Sequence, residues 1–161
     1  SYLEDPSRNP FDDCDVYQDA TKFEICAYTN YLGALGLAEA LQVQLDKGQA
    51  WIEQRIKSMI RRLIDGLAQL GIQMCSPTDD QHMSSIASFN FGFQGGIAKE
   101  KALVEYLQKR NIYISLRSST GTGGLRISVH YYNTPEEIDT LVAAIGDYMQ
   151  QTGVKQILKE A

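Results

Sequence analysis

The amino-acid sequence predicts an α+β fold, an antiparallel sheet of about four strands with helices packed mainly on one face. Three observations predict it. Apolar residues recur at helical spacing in two long early segments and in one at the end. Between them lie short alternating segments bounded by glycine and proline. The resulting order, helix, helix, strand, strand, helix, strand, strand, helix, suits a sheet covered on one side and open on the other.

Residues 1–22 read as an extended arm, because Pro6, Pro10 and clustered aspartates oppose regular structure. The segment opens without methionine and looks like the start of a piece excised from a longer protein, with the packed part beginning near Phe23. From Tyr31, Ala34, Leu37, Ala38, Leu41 and Leu45 repeat at helical spacing up to Gly48, which suits a C-terminal cap. A longer helix follows with Ile52, Ile56, Met59, Ile60, Leu63, Leu67 and Leu70 on one face and Gly71 as its stop; Trp51 packs at its start. "IQMC" and "SIASFNF" read as strands. Leu103, Val104, Tyr106 and Leu107 mark a short helix ending at Asn111, and Ile112, Ile114 and Leu116 alternate as the next strand.

"LRISVHYYNT" is the last strand. Leu125, Ile127, Val129 and Tyr131 share one face, so Arg126, Ser128, His130 and Tyr132 share the other. Thr134-Pro135-Glu136-Glu137 then gives an N-cap, a proline at the first helical position and a capping-box glutamate. Ile138, Leu141, Val142, Ile145 and Met149 form the apolar stripe of the closing helix.

The 161 residues fit one domain, and 43% hydrophobic residues suffice for a core. A net charge of −5 with no cluster of lysine and arginine argues against a general nucleic-acid surface. Arg61-Arg62 and Lys109-Arg110 are isolated pairs. Three cysteines without paired metal-ligand spacing suggest neither a disulfide framework nor a zinc site, and fit a reducing, cytoplasmic setting. No apolar run approaches the roughly 20 residues that span a bilayer, and no signal-peptide pattern opens the chain.

Several stretches invite a chemical reading. "SSTGTGG" resembles a phosphate cradle, but it joins strand to strand and lacks the Walker A lysine, so it reads as a strand connection. His82 with Asp79 and Asp80 could ligate a metal, yet no second cluster accompanies them, and no metal site is assigned. For Arg126, Ser128 and His130, spacing leaves two readings open. They form the wet face of a half-covered sheet, or the arginine fork receives a carboxylate through two parallel hydrogen bonds.

Taken together, "KFEICAYTNYLGALGLAEAL", "ASFNF" followed by "LVEYLQKRNIYISLR", and "LRISVHYYNTPEEIDTLV" resemble the C-terminal small domain of class V aminotransferases, the cysteine-desulfurase-like branch of fold-type-I pyridoxal-phosphate (PLP) enzymes. The resemblance runs from about Lys22 to about Met149. It implies that Arg126 binds the α-carboxylate of an amino-acid substrate, with Arg117 and His130 lying near the site as candidate lining residues. It also implies that Thr29 is the nearest counterpart of the threonine that reaches PLP phosphate in the neighbouring subunit of a homodimer, although "CAYTN" departs from the usual Gly-Thr spacing. The lysine that bonds PLP belongs to a large domain absent from this chain, so the resemblance implies no catalytic residue here and an isolated fragment without activity. Cysteine is absent from Arg117 to Gly124, where sulfur-transferring members carry their nucleophile; this argues against persulfide-type desulfuration and leaves an aminotransferase, a lyase or an epimerase. The competing reading is a non-catalytic α+β binding or dimerisation module.

Overall fold

The computed structural model describes residues 19–20, 30–92, 96–117 and 124–154. The chain divides into two compact units, residues 1–47 and 48–161. In the first, helix α1 spans Tyr31–Lys47, as its leucine spacing predicts. Asn30 caps it: its side-chain oxygen accepts from the Gly33 N–H at 2.8 Å and its carbonyl from Ala34 at 2.9 Å.

The second unit begins with α2, Gln49–Gln69, whose buried stripe is Ile52, Met59, Ile60, Leu63 and Leu67. Gly71, at φ 74°, closes it in a Schellman turn: Gly71 N–H donates to Ala68 and Ile72 N–H to Leu67. Then follow β1 (Ile86–Phe89), α3 (Gly96–Gln108), β2 (Ser115–Leu116), β3 (Leu125–Ser128) and α4 (Pro135–Thr152). α3 ends in a second Schellman turn with Asn111 at φ 59°, Asn111 N–H donating to Gln108 and Ile112 N–H to Leu107. α4 starts on the expected capping box. The Thr134 hydroxyl accepts from the Glu137 N–H, and the Glu137 carboxylate accepts from the Thr134 N–H.

The three strands form an antiparallel sheet in the order β1-β3-β2. Ala87 lies opposite Ile127 and Phe89 opposite Leu125 on β1, and Leu116 lies opposite Leu125 on β2. These side chains join the α2, α3 and α4 stripes in one core with Phe91, Leu103, Leu107, Ile138, Leu141 and Ile145. α2 and α4 cross closely where side chains are missing: a Cβ on Gly66 would stand 2.9 Å from Val142 Cγ2, and one on Gly146 3.2 Å from Leu70 Cδ2.

Two of the expected strands are shorter than their alternation suggests. "IQMC" contributes only a bridge between Met74 and Phe89, with Cys75 N–H donating to Ser88. Beyond it the Ser76 hydroxyl takes the Ser88 N–H at 3.0 Å, a side chain replacing the next backbone rung, and Pro77 follows. The 112–116 segment pairs only from Ser115, because the Ile112 N–H is spent on the α3 cap.

Candidate carboxylate-binding site

Arg126 sits at the middle of the central strand. Its adjacent residues in the strand, Leu125 and Ile127, are buried in the core, so its own side chain rises from the opposite face. In register, Ser88 of β1 and Ser115 of β2 lie directly opposite it on either side. Cross-strand partners share a face, so the guanidinium rises between two short side chains. Ile86 and Ser128, the next pair on that face, are exposed.

The arginine is partly buried, and its Nε is cut off from solvent without a hydrogen-bond partner. A guanidinium stays charged at any ordinary pH, and an unpaired buried donor costs about 1–3 kcal/mol. No carboxylate stands on the strand positions of this face: Ile86, Ser88, Ser115, Arg126 and Ser128. An anion with two acceptor oxygens satisfies that arrangement.

Arg117 joins the same face. Its N–H donates to the Gly124 carbonyl at 2.8 Å, which extends the β2–β3 ladder one pair past Leu116. Alternation then places Arg117 on the side of Ser115, diagonal to Arg126, where it is exposed.

His130 is arranged differently from its expected place beside Arg126. β3 ends at Ser128, and the chain turns, with the His130 N–H donating to Asn133 Oδ1 at 2.8 Å and the Asn133 N–H to the His130 carbonyl at 3.0 Å. The imidazole stacks on Tyr132 at 4.2 Å and 25° and lies 4.4 Å from Tyr131, its Nδ1 buried without a partner. Among the described residues, its ring contacts are with Tyr131 and Tyr132 of its own turn. The turn also carries Tyr131 away from the core face predicted by alternation, to meet Trp51 edge-on at 6.4 Å. Arg55 holds this turn by donating to the Asn133 carbonyl at 3.1 Å.

Thr29 lies outside the described residues, as does the 118–123 part of "SSTGTGG". Asp79 and His82 pair at 2.6 Å, while Asp80 forms an ion pair with Arg61. The histidine hydrogen bond holds the Asp79 carboxyl below its ordinary range.

Sequence reasoning passed over Glu100, the only buried charged residue among those described, at 1% exposure. The signal was present: Glu100 precedes Leu103 by three positions and Leu107 by seven, on the buried face of α3. It also named neither Ser88 nor Ser115, although the alternation around each strand already gave their side.

A class-V aminotransferase family model matches residues 13–141, most of the chain. The chain belongs to the class-V aminotransferase family. Members of this family depend on PLP. The class-V chain is 24% identical over 112 residues to 8-amino-7-oxononanoate synthase of Alkalilimnicola ehrlichii, a match covering 68% of this chain and 27% of the relative. Its fold is similar to the cysteine desulfurase of Thermococcus onnurineus NA1, with a TM-score of 0.75 and 21% identity over 93% of this chain and 38% of that one. It is also similar to the cystine C-S lyase C-DES, with a TM-score of 0.65 and 26% identity over 82% of this chain and 33% of the other. The class-V chain thus spans between about a quarter and two-fifths of these relatives' lengths. No helix among the described residues is long and apolar enough to cross a membrane.

Proposed function

We propose that this chain is the C-terminal small domain, over residues 23–161, of a cytoplasmic, homodimeric PLP enzyme that acts on an amino acid, and that Arg126 seats the substrate α-carboxylate. The observation that carries this reading is the partly buried guanidinium whose Nε has no hydrogen-bond partner, on a sheet face whose described strand positions bear no acid. That face fits the anionic end of an amino acid. It does not by itself fit the cofactor ring, since the described lysines, Lys47, Lys57, Lys99, Lys101 and Lys109, lie on or beside helices. A separate N-terminal domain, joined through residues 1–22, holds PLP in this reading, and Thr29 is the candidate contact to the neighbouring subunit's cofactor phosphate. Bound PLP supplies the electron sink of the reaction. This chain's part is to bind and orient: the fork fixes the carboxylate plane on a rigid strand, which fixes the direction of the remaining substrate bonds. With no cysteine from Arg117 to Gly124, transamination, elimination or epimerisation suits the chain better than persulfide formation, despite its fold likeness to a desulfurase.

The test is amino-acid turnover by the full-length protein carrying Arg126→Ala or Arg126→Lys. Losing a bidentate, desolvated carboxylate pair should cost about 2–5 kcal/mol in kcat/KM. Lysine keeps the charge but not the fork, so it should not restore the rate. Near-normal kcat/KM in Arg126→Ala would return Arg126 to the ordinary wet face of a sheet.

A further inference from the structure

Six arginines are described, and four have partners. Arg55 donates to the Asn133 carbonyl, Arg61 pairs with Asp80, Arg62 forms a two-toothed pair with Asp139, and Arg110 donates to the Tyr106 carbonyl while covering the Tyr106 ring at 3.6 Å. Arg117 and Arg126 are the two whose guanidinium groups have no hydrogen bond or ion pair among the described residues. They are also neighbours. Arg117 stands opposite Gly124, two residues along β3 from Arg126, a diagonal that separates Cβ atoms by about 7–8 Å.

Two cations side by side with no ionic partner among the described residues repel each other, and the net charge of −5 shows that the chain has acids to spare for such positions. Instead, the positions around them are short. Ser88 and Ser115 flank Arg126, and Gly124 offers no side chain beside Arg117. Short neighbours leave room beside both side chains on that face, where Arg117 is exposed and Arg126 half-buried. Two long, flexible side chains rooted at that spacing can close on two carboxylates joined by a few carbons.

We propose that Arg117 makes this face selective for a dicarboxylic amino acid, with Arg126 taking one carboxylate and Arg117 the second. The inference rests on the reading of Arg126 as a carboxylate seat and adds the substrate class. Arg117 is a specificity-determining residue in it: a monocarboxylic amino acid uses only one of the two forks.

The test is an NMR titration of the 161-residue chain at low salt, following the Nε–Hε signals of both arginines with L-aspartate, L-alanine or inorganic phosphate as the probe. L-aspartate should shift both signals and bind about tenfold more tightly than L-alanine, which should shift Arg126 alone. Arg117→Gln should erase that preference and leave L-alanine binding unchanged; Arg126→Gln should weaken both ligands. Backbone spectra superimposable on the parent's establish that each variant is folded. Equal affinity for the two amino acids, or a preference that survives Arg117→Gln, would overturn the inference and leave the Arg126 reading standing. Phosphate that occupies Arg117 as tightly as L-aspartate does would overturn it in favour of a phosphate position. No shift at Arg126 with any amino acid, or L-alanine binding indifferent to Arg126→Gln, would remove the carboxylate seat and the inference with it.

Discussion

Glu100 Oε1 accepts a hydrogen bond from the Phe91 backbone N–H at 3.1 Å, tying the second turn of α3 to the chain just beyond β1. Both residues are almost wholly buried, and a buried N–H without an acceptor costs about 1–3 kcal/mol. Glu100→Leu should therefore destabilise the fold by about 2 kcal/mol despite its better hydrophobicity. Glu100→Gln keeps an acceptor oxygen and should lose less. Urea unfolding of the two variants is the check; a leucine variant as stable as the parent would show that the bond contributes nothing.

Asn111 occupies the left-handed position that ends α3, where glycine carries no Cβ penalty. Asn111→Gly should raise stability by about 0.5–1 kcal/mol, and Asn111→Val should lower it by more than that, since a branched side chain resists positive φ. Thermal midpoints of the three proteins decide this. A glycine variant that melts lower would contradict the assignment.

Glu137 is held below its ordinary value of 4.5, first by the hydrogen bond from the Asn133 amide and then by the one from the Thr134 N–H. Its folded value lies below its unfolded one, so its contribution is complete above about pH 4.5 and is lost as pH falls from there through the folded value. Asp139, lowered by its hydrogen bond from Arg62, acts in the same direction. Stability should thus decline on acidification below that point. Glu137→Gln preserves the capping geometry without a titrating group and should show a shallower decline, measurable as urea midpoints across the acid range.

Incubation of the 161-residue chain with PLP, borohydride reduction and intact-mass analysis should show no stoichiometric pyridoxyl group on a single lysine. Lys57 is paired with Glu53, and no described lysine lies on the open sheet face. One fully labelled lysine would place the cofactor-bonding residue inside this chain and refute the division of roles proposed for it.

Much of the fold was legible because its signals are local. The α2 stripe and Gly71, the Thr134 to Glu137 capping box and the side of the sheet taken by Arg126 follow from spacing within a few residues, and each has the predicted form. Strand length was not legible. Whether a rung forms depends on what its backbone groups already bond. The Ile112 N–H goes to Leu107, and the Ser88 N–H goes to the Ser76 hydroxyl. Alternation cannot register either competition.

The sequence by itself determined which residues point away from the core: period two placed Arg126 opposite Leu125 and Ile127 before any neighbour was known. Only the tertiary structure decided what stands beside it. Antiparallel register brings Ser88, 38 positions earlier in the sequence, and Ser115 to its flanks, and sets Arg117 on the diagonal. It also withdraws His130 into a turn with Tyr131 and Tyr132. Such pairings come from strands separated in sequence and from the hydrogen bonds that terminate them, and no pattern within one strand contains them.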